Sequence, residues 1–129
     1  MLSLNKKTDY GLQLMIVLAK DYKKGPTSLR KIAKENKLSF KFLEQAAFLL
    51  KVTDLVDSKE GRGGGYFLTK SPGKISVEII IEALEGPVGF SHCIGCPKVG
   101  LCSPKDMWDE VENQVKKTIR GKTLKDLIE

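Results

Sequence analysis

The chain has 129 residues, is 41% hydrophobic and 29% charged, and carries a formal net charge of +6. That is the composition of a soluble globular protein with room for one modest core, and the longest apolar run, Leu14 to Ala19, is far short of the roughly 20 residues that cross a bilayer. No basic stretch followed by an apolar run and a small-residue cleavage site opens the sequence, so no secretory signal, no membrane partner and a cytoplasmic address are expected.

The positive charge is unevenly placed. Residues 1–75 hold 15 Lys/Arg against 7 Asp/Glu, a net +8, whereas residues 76–129 hold 7 against 9, a net −2. A basic N-terminal part joined to a slightly acidic one suits a polyanion-binding module carrying a separate functional segment. A solvated lysine-rich surface would have the same composition. Charge alone does not choose.

In chain order, the first helix is expected from about Lys6 to Asp21, with Tyr10, Leu14, Val17 and Leu18 on one face and Met15 and Ile16 thickening the stripe. Gly25-Pro26 breaks the chain. Ser28 then suits the N-cap of a short helix, Leu29 to Asn36, whose Leu29, Ile32 and Ala33 point inward. After a turn at Lys37-Leu38, Ser39 suits the cap of a third helix running to about Lys51. Phe42, Leu43, Ala46, Ala47, Leu49 and Leu50 form its apolar face, while Ser39, Lys41, Glu44, Gln45 and Phe48 occupy or border the rest. Two short helices across a tight turn form a helix-turn-helix pattern.

Leu55 to Ser58 and Tyr66 to Thr69 read as the strands of a hairpin whose tip is Gly61-Arg62-Gly63-Gly64-Gly65. Placed after a helix-turn-helix, such a hairpin is a wing. Pro72-Gly73 punctuates again, and Ser76 caps an expected helix from Val77 to Glu85, ended by Gly86-Pro87. Ser103, Pro104 and Asp106 mark the start of a long helix to about Arg120, closed by Gly121, with Thr123 capping a final turn from Leu124 to Ile128. Trp108, Val111, Val115 and Ile119 make a narrow apolar stripe along the long helix. The stripe can pack on the chain's own core or pair with a second copy, and its place after a complete small domain favours a homodimer. The fold class is thus mainly α with a small β-hairpin wing, a winged helix-turn-helix plus a long C-terminal dimerisation helix. Its parts are a DNA-binding domain over 1–85, a cysteine-bearing loop over 86–103, and the dimerisation helix with its tail over 104–129.

Two sets of residues carry chemistry. A recognition helix fits the major groove of double-stranded DNA. There Glu44 can accept from a cytosine amino group and Gln45 can pair with adenine, with Ser39 and Lys41 placed for phosphate or base-edge contacts. Lys59 and Arg62 on the wing can reach phosphates or the minor groove. As ordinary surface residues, Glu44 and Gln45 would carry no such meaning.

The second set is Cys93-x2-Cys96-x5-Cys102, confined with His92 to one loop. Three cysteines are an odd number, against a disulfide framework and for metal or redox chemistry. Three chemistries are open: an iron–sulfur cluster with one non-cysteine ligand, a zinc site for which only one C-x2-C pair exists, and thiol redox chemistry, for which no βαβ pattern is present. His92 adjoins the cysteines and is a candidate fourth ligand. There is no second histidine and no phosphate-binding glycine loop before a helix, so no enzyme is expected.

Phe42-Leu43-Glu44-Gln45, Leu55-Val56-Asp57-Ser58 and Gly63-Gly64-Gly65-Tyr66-Phe67-Leu68-Thr69, together with the opening Leu4-Asn5-Lys6-Lys7-Thr8-Asp9-Tyr10, strongly resemble the IscR/NsrR-type family of winged helix-turn-helix iron–sulfur transcription regulators. The resemblance runs over essentially the whole chain. It implies a dimeric repressor or activator of operator DNA, a repressor being the simpler case, whose affinity depends on a 2Fe–2S or 4Fe–4S cluster sensing nitric oxide, redox stress or iron–sulfur status. It also implies that Glu44 reads a base, that Ser39 and Gln45 touch DNA, and that Asp9 stands where some nitric-oxide-sensing members donate an aspartate ligand across the dimer. Bottom-up, Asp9 is simply a carboxylate in the first turn of a helix. Departures are present too. The first two cysteines are closer together than is common in the family, Glu60 stands where a groove-inserting arginine is common with Arg62 two residues later, and the histidine that some 2Fe–2S members place after the third cysteine is absent. A cluster-free thiol- or zinc-responsive regulator, or a metal-binding interaction module without an operator, are the rival readings.

Overall fold

The computed structural model describes residues 6–86 and 105–129. Helix α1 spans Lys6–Lys20 and buries Leu14, Met15, Leu18 and Ala19, the stripe that its 3–4 spacing lays on one side. Helices α2 (Leu29–Asn36) and α3 (Phe40–Val52) follow. The turn between them is made by Lys37 in the left-handed region (φ 54, ψ 44), with the Leu38 N–H donating to the Ala33 carbonyl at 2.9 Å, a Schellman-type closure. A non-glycine residue there is uncommon, and the sequence carries no glycine to mark it.

Ser28 and Ser39 do sit at the N-caps with extended backbone, but neither hydroxyl caps its helix. For α2, tertiary structure supplies the restraint instead. Strands β1 (Val56–Lys59) and β2 (Gly65–Leu68) pair antiparallel, Val56 opposite Leu68 and Lys59 opposite Gly65. Thr27 adds a rung on the far side of β2, exchanging both backbone hydrogen bonds with Tyr66 at 2.9 and 2.8 Å. The wing is therefore held at its root by the segment that enters α2.

This rung explains Gly65. Its φ is +145, and a Cβ there would lie 2.3 Å from the Thr27 carbonyl carbon and oxygen, so only glycine lets the two backbones meet. A second close approach occurs at Gly11, where a Cβ would stand 2.5 Å from Leu84 Cδ1. Its absence lets α1 lie against α4 (Val77–Glu85).

A single 3-10 turn at Pro72–Lys74 leads to α4, whose Ser76 cap accepts from the Ile79 N–H at 3.2 Å. Helix α5 (Lys105–Arg120) and the short α6 (Leu124–Ile128) complete the described chain. The tail, grouped on sequence with the long helix, returns to the N-terminal core. The Val77 N–H donates to the Lys122 carbonyl at 2.9 Å and the Leu124 N–H to the Ile75 carbonyl at 2.8 Å. Leu124 is fully buried, and α6 packs on α1. Thr123 and Asp126 form a capping box. The Thr123 backbone N–H donating to Asp126 holds that carboxyl below its ordinary range, with Thr123's hydroxyl, Lys122 and Lys125 adding to the effect against desolvation. Arg120 Nε also pairs with Glu78 Oε2 at 2.6 Å, joining the end of α5 to the start of α4.

The α5 stripe is only partly covered among the described residues. Trp108 is 36% and Val115 38% exposed, Val111 and Ile119 are half-buried, and no residue of α5 whose side chain is described is buried.

Gly65→Ala is expected to destabilise the fold by about 1–3 kcal/mol, the cost of a strained backbone position. Denaturant unfolding would read this as a lower midpoint at unchanged slope. An unaltered midpoint would mean that the Thr27 rung does not constrain the wing.

Candidate nucleic-acid interface

At about 100° per residue, Leu43, Ala46, Ala47 and Leu50 of α3 face one way, and all four are 0% exposed. Opposite them, Lys41, Glu44, Gln45, Phe48 and Val52 share an arc of about 100°, and all five are exposed. Burial of one side thus fixes the direction in which the other side points.

Aromatic contacts hold the first turns of α3. The Arg30 guanidinium stands 4.6 Å from the Phe40 ring centroid. Tyr10 meets Phe42 edge-on at 5.7 Å, with the Lys6 ammonium 5.9 Å from the same ring. Such pairs add modestly to the apolar burial. Their main effect here is to seat α3 against both α1 and α2. At its other end, Lys51 Nζ donates to Ser58 Oγ at 2.7 Å, linking α3 to β1. Thr69 Oγ1 donates to the Asp54 carbonyl at 2.6 Å, fastening the base of the hairpin.

The structure brings three of the sequence-expected residues together: Lys41, Glu44 and Gln45 lie exposed on the first half of α3, and half-buried Ser39 precedes them at its N-cap. Because Ser39 does not cap its helix, its hydroxyl is not used up there. The Glu44 and Gln45 side chains hold no hydrogen bond among the described residues. Lys59 and Arg62 are exposed on the wing, apart from α3 but on the hairpin that Lys51 ties to it. Asp9 is exposed on α1, where its Oδ2 accepts from the Gln13 amide at 2.8 Å. Cys93, Cys96, Cys102 and His92 lie outside the described residues. Among the described residues no group of three or more His, Cys, Asp and Glu side chains could hold a metal, and no helix is long and apolar enough to cross a membrane.

Sequence reasoning left some neighbours out. An open groove of about 590 Å³ runs along α3, lined by Lys7, Glu44, Gln45, Phe48, Leu49 and Tyr66. The i, i+3, i+4, i+7 spacing from Lys41 could have placed Phe48 at the centre of the exposed face. Lys7 and Tyr66 join through tertiary packing, which no local spacing encodes.

Comparison with known proteins adds to this geometry. A family model described as Rrf2, iron-dependent transcriptional regulator, matches residues 4–129. The chain is 36% identical over 126 residues to the HTH-type transcriptional regulator CymR of Bacillus subtilis, an alignment covering 98% of this chain and 89% of that protein. A solved structure of CymR (YrzC), titled the global cysteine regulator of B. subtilis, superposes with a TM-score of 0.85 at 38% identity, covering 99% of this chain and 97% of that one. The HTH-type transcriptional regulator IscR of Pectobacterium carotovorum is 30% identical over 128 residues, 97% of this chain and 78% of that protein. The structure of T. potens IscR gives a TM-score of 0.81 at 34% identity over 98% of this chain and 86% of that one. Each of these relatives is named as a regulator rather than an enzyme.

Proposed function

The chain belongs to the Rrf2 family of transcriptional regulators, and on that premise we propose that it is a homodimeric repressor that reads operator DNA with α3 and its wing and responds to a signal through its cysteine loop. The observation that carries the DNA part is the exposed arc of α3, which displays an acceptor, an amide and a cation on a helix locked in place by its buried side. A helix fits the major groove, where base edges are distinguishable. In this reading Glu44 accepts from a cytosine amino group, Gln45 bonds adenine, and Ser39 and Lys41 contact phosphate or base edges near the helix start. Lys59 and Arg62 hold the backbone or enter the minor groove beside the wing. Base-reading and phosphate-binding residues should fail differently. Glu44→Ala is expected to change base preference at one position, by about 1–3 kcal/mol of discrimination. Lys59→Ala is expected to weaken all sequences alike and lower the salt slope by about 1. Binding isotherms on single-base operator variants at several salt concentrations measure both, and identical profiles for the two variants would refute the division of roles.

The partly exposed stripe of α5 supports the dimer. Val115 is exposed and Val111 and Ile119 are only half-buried in the described part of this chain, and a second α5 laid on that stripe would cover them by symmetry. Two recognition helices then address half-sites about one helical turn apart. Val115→Glu puts a charge into that stripe. In sedimentation it is expected to run as a monomer and to lose about tenfold or more in operator affinity, because linked binding of the two half-sites is lost. A dimer of wild-type stability would place the interface elsewhere.

For the sensor, the donor set is three thiolates, Cys93, Cys96 and Cys102, within ten residues, with the Asp9 carboxylate presented on the surface of α1. Soft thiolates plus one oxygen donor suit an iron–sulfur cluster with a non-cysteine ligand, and likeness to IscR supports this reading. A bound cluster would supply a centre labile to oxidants and nitric oxide. The chain's own contribution is to couple that loop to α5, which begins directly after it and is tied by Arg120 and the tail to the domain that bears α3. A second reading has its own support. The likeness to a structure titled a global cysteine regulator, over 97% of that chain, favours thiol chemistry at the same cysteines without a cluster. Anaerobic purification with iron and sulfide analysis separates the two. Brown protein with about stoichiometric iron and sulfide, both lost together with regulated operator binding in Cys96→Ala, is the expected result. Iron-free protein that resists reconstitution moves the sensor to thiol or zinc chemistry, and a Cys96→Ala protein with unchanged iron content and unchanged regulation removes the cysteines from sensing.

A further inference from the structure

The exposed arc of α3 is not wholly polar. Phe48 and Val52 are each 64% exposed and stand one turn apart on the side that carries Glu44 and Gln45. Isolated apolar residues on a surface are ordinary. Two in line, at the centre of a face that otherwise offers a cation, an acceptor and an amide, need a partner that is apolar at one point and polar around it. At about 100° per residue, Phe48 projects between the directions of Glu44 and Gln45, one turn further along the helix. At 1.5 Å per residue it lies about 6 Å beyond Glu44 along the axis, about the height of two base pairs.

We propose that Phe48 is a third reader of the operator, packing on the C5-methyl group of a thymine. This rests on the DNA-binding reading of α3 given above. The major groove offers that methyl as its apolar feature, beside acceptors and donors that suit Glu44 and Gln45. Cytosine and uracil lack it. The ring has room to meet a base edge, since it borders the open groove with Gln45, Leu49 and Tyr66. The surrounding charge suits a polyanion, with Lys7 in the same groove, Lys41 on the same face and a net +8 over residues 1–75. Phe48 therefore adds specificity rather than charge-driven affinity. It discriminates about two base pairs from the one that Glu44 reads.

The test begins with an operator selected from random duplex DNA by the full-length wild-type protein. Each thymine of the selected site is then replaced by deoxyuridine in both half-sites, and binding is measured for wild type, Phe48→Ala and Phe48→Leu. At one thymine, about two base pairs from the position whose preference shifts in Glu44→Ala, wild type is expected to lose about fourfold per half-site, the worth of one buried methyl. Phe48→Leu should keep a preference for thymine, while Phe48→Ala should bind both duplexes equally. Thermal melting of each variant checks folding, which the exposure of the side chain leaves intact. Wild type binding every deoxyuridine duplex as tightly as its parent overturns the proposal, as does a Phe48→Ala protein that retains the wild-type ratio. Failure to enrich any sequence would instead overturn the DNA reading of α3, and Phe48's role with it.

Discussion

The side of α3 formed by Leu43, Ala46, Ala47 and Leu50, fully shielded from solvent, is the constraint on which the rest depends. Two alanines in the middle of that side let α1 come close, and the core is packed at a density that permits no rotation of the helix without opening voids. Turning α3 by one residue would drive Glu44 or Gln45 toward the interior and bring leucines into water, each costing about 1.5–3 kcal/mol. The direction of the exposed arc is therefore a consequence of the core. Functional side chains on it need no restraint of their own, which is why Glu44 and Gln45 remain uncommitted while pointing one way.

The same core receives the end of the chain. Leu124 enters it from α6, and the backbone bonds of Val77 and Leu124 stitch 122–124 to 75–77. Helix α5 is consequently not a free arm. Its C-terminal end is fixed to the domain by Arg120 on Glu78 and by the tail, whereas its N-terminal end leads out of the cysteine-bearing segment. In the proposed dimer, a helix of 16 residues, about 24 Å long, would convert a small displacement at one end into a change in angle between the two DNA-binding domains. Under the proposed function, this makes the spacing of the two α3 helices responsive to the loop.

Much of this was legible in the residues. Apolar periodicity and the turn signals placed α1, α2, α3, the hairpin, α4, α5 and the final turn, most of them to within a residue or two of the observed boundaries, because each is a local pattern with caps or breakers at its ends. Long-range pairings left no local trace. The Thr27 rung on Tyr66 unites residues 39 apart and reveals itself only as a glycine run, readable equally as a flexible tip. The return of Leu124 was hidden because five residues are too few to show a buried face. Ser28 and Ser39 had the right residue type and backbone for caps, yet their hydroxyls do not cap, since tertiary contacts already hold those positions extended or the turn is fixed by Lys37. For the site, the i, i+3, i+4 spacing put Lys41, Glu44 and Gln45 on one face with Ser39 at the cap before it, while Phe48, at the border of the apolar set by composition, proved to be central by geometry.

Similarity at 38% identity to a cysteine regulator and at 34% to an IscR follows from this arrangement. What those structures share with the described part of the chain is the fold whose core orients α3 and the wing. Under the proposed function, residues 86–103, which precede α5 in sequence, have one mechanical requirement, to alter how that helix is held. Thiolate ligation and direct thiol modification both meet it. Under that proposal the reader on α3 and the cysteine chemistry are coupled through α5, and one fold can serve different signals without any change on the face of α3.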